Sequence, residues 1–308
     1  FLKFFDYKVE IVPYSGKLIS ILILYKLSNR RQLNYLDDSL ICKSKFFDYE
    51  IFHQSNDMRA IFPNEWQVDS VSIAILSKAS KIFDEKDFYD FGANYGMFSL
   101  PYLNDKTIKS HIIVEANPFL ITCLKKTFNK NQKIVNKALV GEKEYKSEKV
   151  NINIIPCGSG ASSIDKEITS INPFLNYALD IDSTTPSILF NKYSKSKKAL
   201  LKIDIEQQEL NLLKSGLLLN ISKYYDEFII FIELYKSSKE KNSQFLEHFN
   251  KYPLLVFGNH NWKGPKKKSK MDKLDGNYLD IKSFYTIKES IGFPTQLLNK
   301  IEYADLLI

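Results

Sequence analysis

Only 3 of the 308 residues are cysteine, and Cys42, Cys123 and Cys157 lie far apart with no C-x-x-C pair. An odd, scattered set argues against a disulfide framework or a zinc site and for a reducing, cytoplasmic setting. Long apolar runs are also missing. The most apolar stretch, 18–27, is interrupted by Lys26 and is too short to span a bilayer. It reads as a core strand or helix, and lipid-surface contact helped by Lys17, Arg30 and Arg31 is the alternative. There is no internal repeat, no dinucleotide fingerprint G-x-G-x-x-G, and no G-x-S-x-G elbow with His and Asp partners, which disfavours serine hydrolysis. Glycine and alanine are scarce while Lys, Asn, Ile, Phe and Tyr abound, a coding bias to which part of the lysine excess is owed.

What is present is ordinary for a soluble globular protein, with 44% apolar and 26% charged residues. Lys+Arg 43 against Asp+Glu 36 gives +7, a mild basicity. That suits an anionic partner without choosing between nucleic acid, a phosphorylated glycan and a membrane surface. The start at Phe1 rather than Met reads as that of a fragment and leaves a targeting segment open.

The run Asp90-Phe91-Gly92-Ala93-Asn94-Tyr95-Gly96 closes a strand-like stretch at 88–91 and opens a helix-like one at 97–103. Gly92 and Gly96 permit a sharp turn and close approach to a ligand, and the helix start behind them offers free N–H groups. Spacing G-x-x-x-G favours a nucleoside without a pyrophosphate, and S-adenosylmethionine fits. About 20 residues on, the apolar stretch 111–115 ends in Glu115, where a carboxylate can accept both ribose hydroxyls.

From 87 onward strand and helix signals alternate, which predicts a Rossmann-like α/β fold with a mostly parallel seven-stranded sheet and helices on both faces. Strands are expected at 88–91, 111–115, 133–140, 200–205, 228–234, 253–258 and 304–308. Helices are expected near 69–83 and at 97–103, 118–129, 207–215 and 243–250. Rough alternation over 142–154 predicts a β-hairpin. The segments 164–198 and 262–296 break the rhythm as long excursions that carry recognition or form surface loops. The first 80 residues are read as an N-terminal cap or accessory region, and 81–308 as the catalytic domain.

These residues resemble the FkbM family of S-adenosylmethionine-dependent methyltransferases. The segment from Asp90 to Ser99 is similar to that family's D-V-G-A-N-x-G-x-F-S. Val114-Glu115-Ala116-Asn117-Pro118 stands where the family has F-E-P-x-P. Asn136-Lys137-Ala138-Leu139 resembles its N-x-A-L, and Gly158 to Ser163 its glycine–serine turn. Leu201 to Glu209 resembles L-K-I-D-V-E-G-x-E, and Phe231-Ile232-Glu233 the strand that ends in glutamate. Gln207 departs from the family glycine and narrows the space beside Glu206. The resemblance implies methyl transfer to a hydroxyl of a sugar, a glycan precursor or a related small molecule. For the cofactor it points to Asp90, Gly92, Ala93, Asn94, Gly96, Phe98, Glu115, Ala116, Asn117, Ala138 and Asp204.

A sugar hydroxyl needs a base beside it. Asp204 and Glu206 flank Ile205 and share one side of a regular strand. Glu233 ends an apolar run, where an acid needs a partner. His260, beside Trp262 in a loop, is a fourth catalytic candidate. His53, His111 and His248 read as surface or structural residues. No histidine or third carboxylate neighbours Asp204 and Glu206 in sequence, so no metal site is expected. Lys266-Lys267-Lys268 reads as a solvated loop or a phosphate contact. An RNA methyltransferase and a non-catalytic cofactor- or glycan-binding module stay open as alternatives, the first opposed by the lack of an ordered aromatic–basic array.

Overall fold

An antiparallel hairpin of β1 (Ile41–Phe46) and β2 (Tyr49–Gln54) is followed by helix α1 (Ser70–Ser80). Then come β3 (Lys86–Phe91), β4 (Ile108–Val114), α2 (Pro118–Thr127), β5 (Gln132–Val135), β6 (Ala138–Leu139), β7 (Lys149–Ile154) and β8 (Tyr177–Thr184). They are followed by α3 (Pro186–Tyr193), β9 (Lys198–Ile203), α4 (Glu209–Lys214), α5 (Leu217–Tyr224), β10 (Glu227–Tyr235), β11 (Pro253–Phe257), β12 (Ser290–Ile291) and β13 (Tyr303–Leu307). This computed structural model describes residues 41–46, 48–54, 57, 70–146, 148–155, 159–164, 177–206, 208–235, 244–245, 247–249, 252–257, 290–291 and 303–308. The expectations for 18–27, Cys157, Gly158, Gln207, His260 and 266–268 lie outside the described residues, as does most of 262–296.

The main sheet has the order β12-β11-β13-β10-β9-β3-β4-β5. β5, β4, β3, β9 and β10 pair in parallel, and β13 runs antiparallel to both β10 and β11. All seven expected strands contribute to this sheet, and the two-residue β12 makes eight. Apolar residues alternate between its faces. Phe88, Ile113, Leu200 and Phe231 join one core with α1 and α2. Tyr89, Phe91, Ile112, Leu201 and Ile203 join the other with α3, α4 and α5. Strands covered on both sides carry apolar residues on both faces and read as short stretches rich in them, which is why they were legible.

Local chemistry sets the helix starts. Asn117 caps α2 by accepting from Phe119 N, and Pro118 occupies the first turn. Thr185 and Pro186 repeat that grammar at α3. Pro101, inside 97–102, lacks an N–H, and the stretch forms a short 3-10 helix. The hairpin lies on α2, where Phe46 and Ile51 enter the same core as Phe88 and Leu124.

The structure departs from these expectations at four places. No hairpin forms within 142–154: residues 142–144 turn, and β7 pairs instead with β8. Ile152 and Ile154 bury against Ile181 and Ala138, a larger apolar surface than the charged 142–148 could supply. The excursion at 164–198 therefore holds both β8 and α3, its inward Ile181 disguised by exposed Asp180 and Asp182. The single strand at 133–140 breaks into β5 and β6 because Asn136 turns aside, its Nδ2 donating to Glu115 O at 2.9 Å and Ala116 O at 3.0 Å. The expected helix 207–215 ends at Gly216 (φ 87), and an unexpected helix, α5, comes after it.

Candidate functional site

Connectivity reverses between β3 and β9: β4 lies on one side of β3 and β9 on the other. Ligands of open α/β sheets sit at the carboxyl ends flanking such a switch point. A cavity open to solvent lies there. Its walls bring together Gly92, Ala93, Asn94, Phe98, Glu115 and Ala116 with Ala138, Asp204 and Glu206. Asp90, Gly96 and Asn117 stand behind the wall, Glu233 is not on it, and His260 is not described.

The turn after β3 uses three left-handed residues: Gly92 (φ 73), Asn94 (φ 53) and Gly96 (φ 79). Asparagine is among the side chains that best tolerate this region. The amides of Gly92 and Ala93 both donate to Val114 O at 3.0 Å, which ties the turn to β4. Gly96 is a packing residue, since a Cβ there would meet the Phe128 ring at 2.4 Å. Asp90 is fully buried beneath the turn, where burial pushes its carboxyl up and Lys202 and Ser99 oppose that push.

Glu115, 8% exposed, accepts from Asn94 N at 2.6 Å and from Asn117 N at 2.7 Å. A carboxylate offers about four lone-pair directions, and these two amides occupy two of them. Burial raises its pKa, and these two amides counter that rise.

Lys202 is the main residue that sequence reasoning missed. Buried in β9, it donates to Gly92 O at 2.6 Å, lies 3.2 Å from Asp204 Oδ2 and 3.7 Å from Asp90 Oδ1, and covers the Phe98 ring. Asp204, Asp90 and Glu233 together hold its pKa above the ordinary lysine value, against burial. A lysine inside the apolar run Leu200-Leu201-Lys202-Ile203 was the available signal, because a buried lysine requires a partner.

Asp204 and Glu206 do not extend a regular strand. β9 ends at Ile203, and Glu206 has φ 55, its carbonyl accepting from Ser163 Oγ at 2.9 Å. The turn still places both residues on the cavity lining. His111 is structural as expected: packed on Phe88 and Tyr102 and bonded to Ser99, it has its pKa pushed down to about 3 by burial.

The Methyltransferase FkbM domain model matches residues 90–253, more than half of the chain. The chain belongs to the FkbM methyltransferase family. No curated protein matches it significantly. Among solved structures it is similar to precorrin-6y C5,15-methyltransferase from Geobacter metallireducens, at 10% identity and TM-score 0.35, over 88% of this chain and 94% of that one. It is also similar to the plantazolicin methyltransferase BpumL in complex with SAH, at 11% identity and TM-score 0.36, over 94% of this chain and 98% of that one.

As an FkbM methyltransferase the protein uses S-adenosylmethionine. Its cavity fits that cofactor by its donor set. Glu115, Asp204 and Glu206 share its lining with Lys137 and Lys202, an acidic excess suited to a nucleoside carrying positive charge, and Met97, Phe98, Leu139 and Ile152 supply apolar wall. No helix among the described residues is long and apolar enough to cross a membrane.

Glu209 opens α4 beneath this wall and accepts from Ile205 N at 2.7 Å. Burial and the nearby Asp204 charge push its pKa up to about 7 from 4.5. The folded protein then holds a proton the unfolded chain has released, so this contribution to stability is full below about pH 4.5 and is lost as pH rises through about 7. Glu209→Gln is expected to flatten the fall in unfolding free energy between about pH 5 and about pH 8. Denaturant titrations at the two pH values check this, and an unchanged slope rejects it.

Proposed function

We propose that this FkbM methyltransferase O-methylates a sugar hydroxyl of a glycan or glycan precursor. The observation that carries the reading is that two acidic residues, Asp204 and Glu206, line one cavity with Glu115 and the serines at 159, 162 and 163. Carboxylates and hydroxyls are the groups that bind polyols by hydrogen bonds, and an acidic wall opposes a phosphate backbone. Residues 1–80 act in this reading as a cap or accessory region, with 81–308 as the catalytic domain.

The turn at Gly92, Ala93 and Asn94, with Glu115 at the ribose, holds the cofactor, and Phe98, Ala116 and Ala138 shape the wall. Asp90, Gly96 and Asn117 support it from behind through the turn and the helix start. When bound, S-adenosylmethionine supplies a methyl group on a positively charged sulfur. Asp204 and Glu206 orient the acceptor hydroxyl, and one of them takes its proton. Lys202, 3.2 Å from Asp204 Oδ2, fixes the position of that carboxylate. Glu233 acts at a distance by sharing the Lys202 charge.

The test is transfer of labelled methyl from S-adenosylmethionine to saccharide and RNA acceptors. Expected is a base-stable methyl ether on a saccharide, abolished when Asp204 and Glu206 are both changed to Ala. Transfer to RNA alone rejects the reading. In calorimetric titration Glu115→Ala is expected to weaken S-adenosylmethionine binding about 10- to 100-fold, the value of hydrogen bonds to a charged group. Unchanged affinity removes Glu115 from the ribose.

A further inference from the structure

The cavity wall formed by residues 159–163 is attached at both ends. At its far end Ser163 exchanges backbone hydrogen bonds with Asn153 at 2.9 and 3.0 Å, and Ser163 Oγ donates to Glu206 O. Ser162 Oγ also accepts from Ile155 N at 3.0 Å. At its near end the attachment comes from outside the matched domain. Asp57 Oδ2 accepts from Ser159 N at 3.2 Å and from Tyr95 OH at 3.0 Å.

Asp57 is 1% exposed and stands just past β2, with its own N–H returning to Gln54 O at 3.2 Å. Tyr95 OH in turn accepts from Gln54 N at 3.4 Å. Ser159 Oγ donates to Asn94 Oδ1 at 3.1 Å, and Asn94 N donates to Glu115. One carboxylate oxygen thus joins the hairpin, the glycine turn and the serine wall. Packing alone does not account for it: a carboxylate is costly to bury, and this one meets two donors from two separate cavity segments.

We propose that Asp57 is a positioning residue of the methyltransferase, which sets the 159–163 wall against the Asn94–Glu115 pair and so tightens cofactor binding. The inference rests on reading this cavity as the cofactor site. It makes the accessory region part of the working site rather than a detached cap. Asp57 is not on the cavity lining, and its effect passes through Ser159 and Tyr95.

Because the same oxygen accepts both bonds, Asp57→Asn can keep them and Asp57→Ala cannot. Expected for Asp57→Ala is about a tenfold rise in the dissociation constant and KM for S-adenosylmethionine, with kcat at saturation within about twofold. Amide hydrogen exchange in 159–163 should quicken without ligand, and Asp57→Asn should restore both readouts. Unchanged affinity or unchanged exchange in Asp57→Ala overturns the proposal. Should Asp57→Ala fail to fold, Ser159→Pro removes the N–H and leaves Asp57 in place. It must then weaken binding similarly, and wild-type affinity there also overturns the proposal. If the unaltered protein does not bind S-adenosylmethionine, the cofactor reading fails, while exchange in 159–163 still decides whether Asp57 holds the wall.

Discussion

Lys202→Met is expected to destabilise the fold by about 3–5 kcal/mol at neutral pH, the usual effect of breaking a buried ion pair from one side. Methionine fills much the same volume, so the loss is electrostatic rather than a cavity. Asp90, with no exposed surface, and Asp204 would lose their shared cation, and Gly92 O would lose a donor at 2.6 Å. Burial already raises the Asp90 pKa, and Lys202 is the largest opposing influence. Without it the carboxyl titrates higher still. The penalty is therefore greatest where Asp90 would be ionised and shrinks on acidification, as protonation removes the unpaired charge. Denaturant unfolding at two pH values reads this directly. Adding Asp90→Asn to Lys202→Met should recover part of the loss, and a double-mutant cycle with no coupling rejects the pairing.

Legibility of this protein tracks the range of the interaction involved. The central strands were readable because β3, β4, β9 and β10 send apolar residues into both cores and so read as short stretches rich in them. The glycine turn was readable because left-handed backbone admits few residue types, and Gly92, Asn94 and Gly96 occupy those positions. Pairing of β7 was not readable, because its partner β8 lies beyond a long intervening segment and local alternation cannot name a distant strand. Asp204 and Glu206 were found by type and place, but not their geometry. The positive φ of Glu206 belongs to the turn beyond β9, where Glu209 holds Ile205 N. Asp57 gave no local signal at all: its meaning depends on Tyr95 and Ser159, 38 and 102 residues away.

Gly92→Ala is expected to abolish cofactor binding and lower stability together. Alanine at φ 73 carries a backbone penalty of about 1 kcal/mol, but contact is the larger effect. A Cβ built there lies 1.8 Å from Asp204 O and 2.8 Å from Asp204 C, and neither atom belongs to a side chain that could rotate away. Relief requires β9 to move from β3 at its carboxyl end, where Asp204 N donates to Phe91 O at 3.1 Å and Lys202 reaches Gly92 O. Both cavity walls would shift, and displacement of about 1 Å at such a site costs on the order of a hundredfold in turnover. Gly216→Ala separates the two contributions. That glycine has φ 87 but nothing within 4 Å of its Cβ position, so it should cost only the backbone penalty and leave S-adenosylmethionine affinity intact. If the two alanine variants lose affinity equally, the general cost of a side chain at positive φ rather than the strand contact governs the site. If only Gly92→Ala does, the close approach of β3 to β9 is what shapes the cofactor cavity.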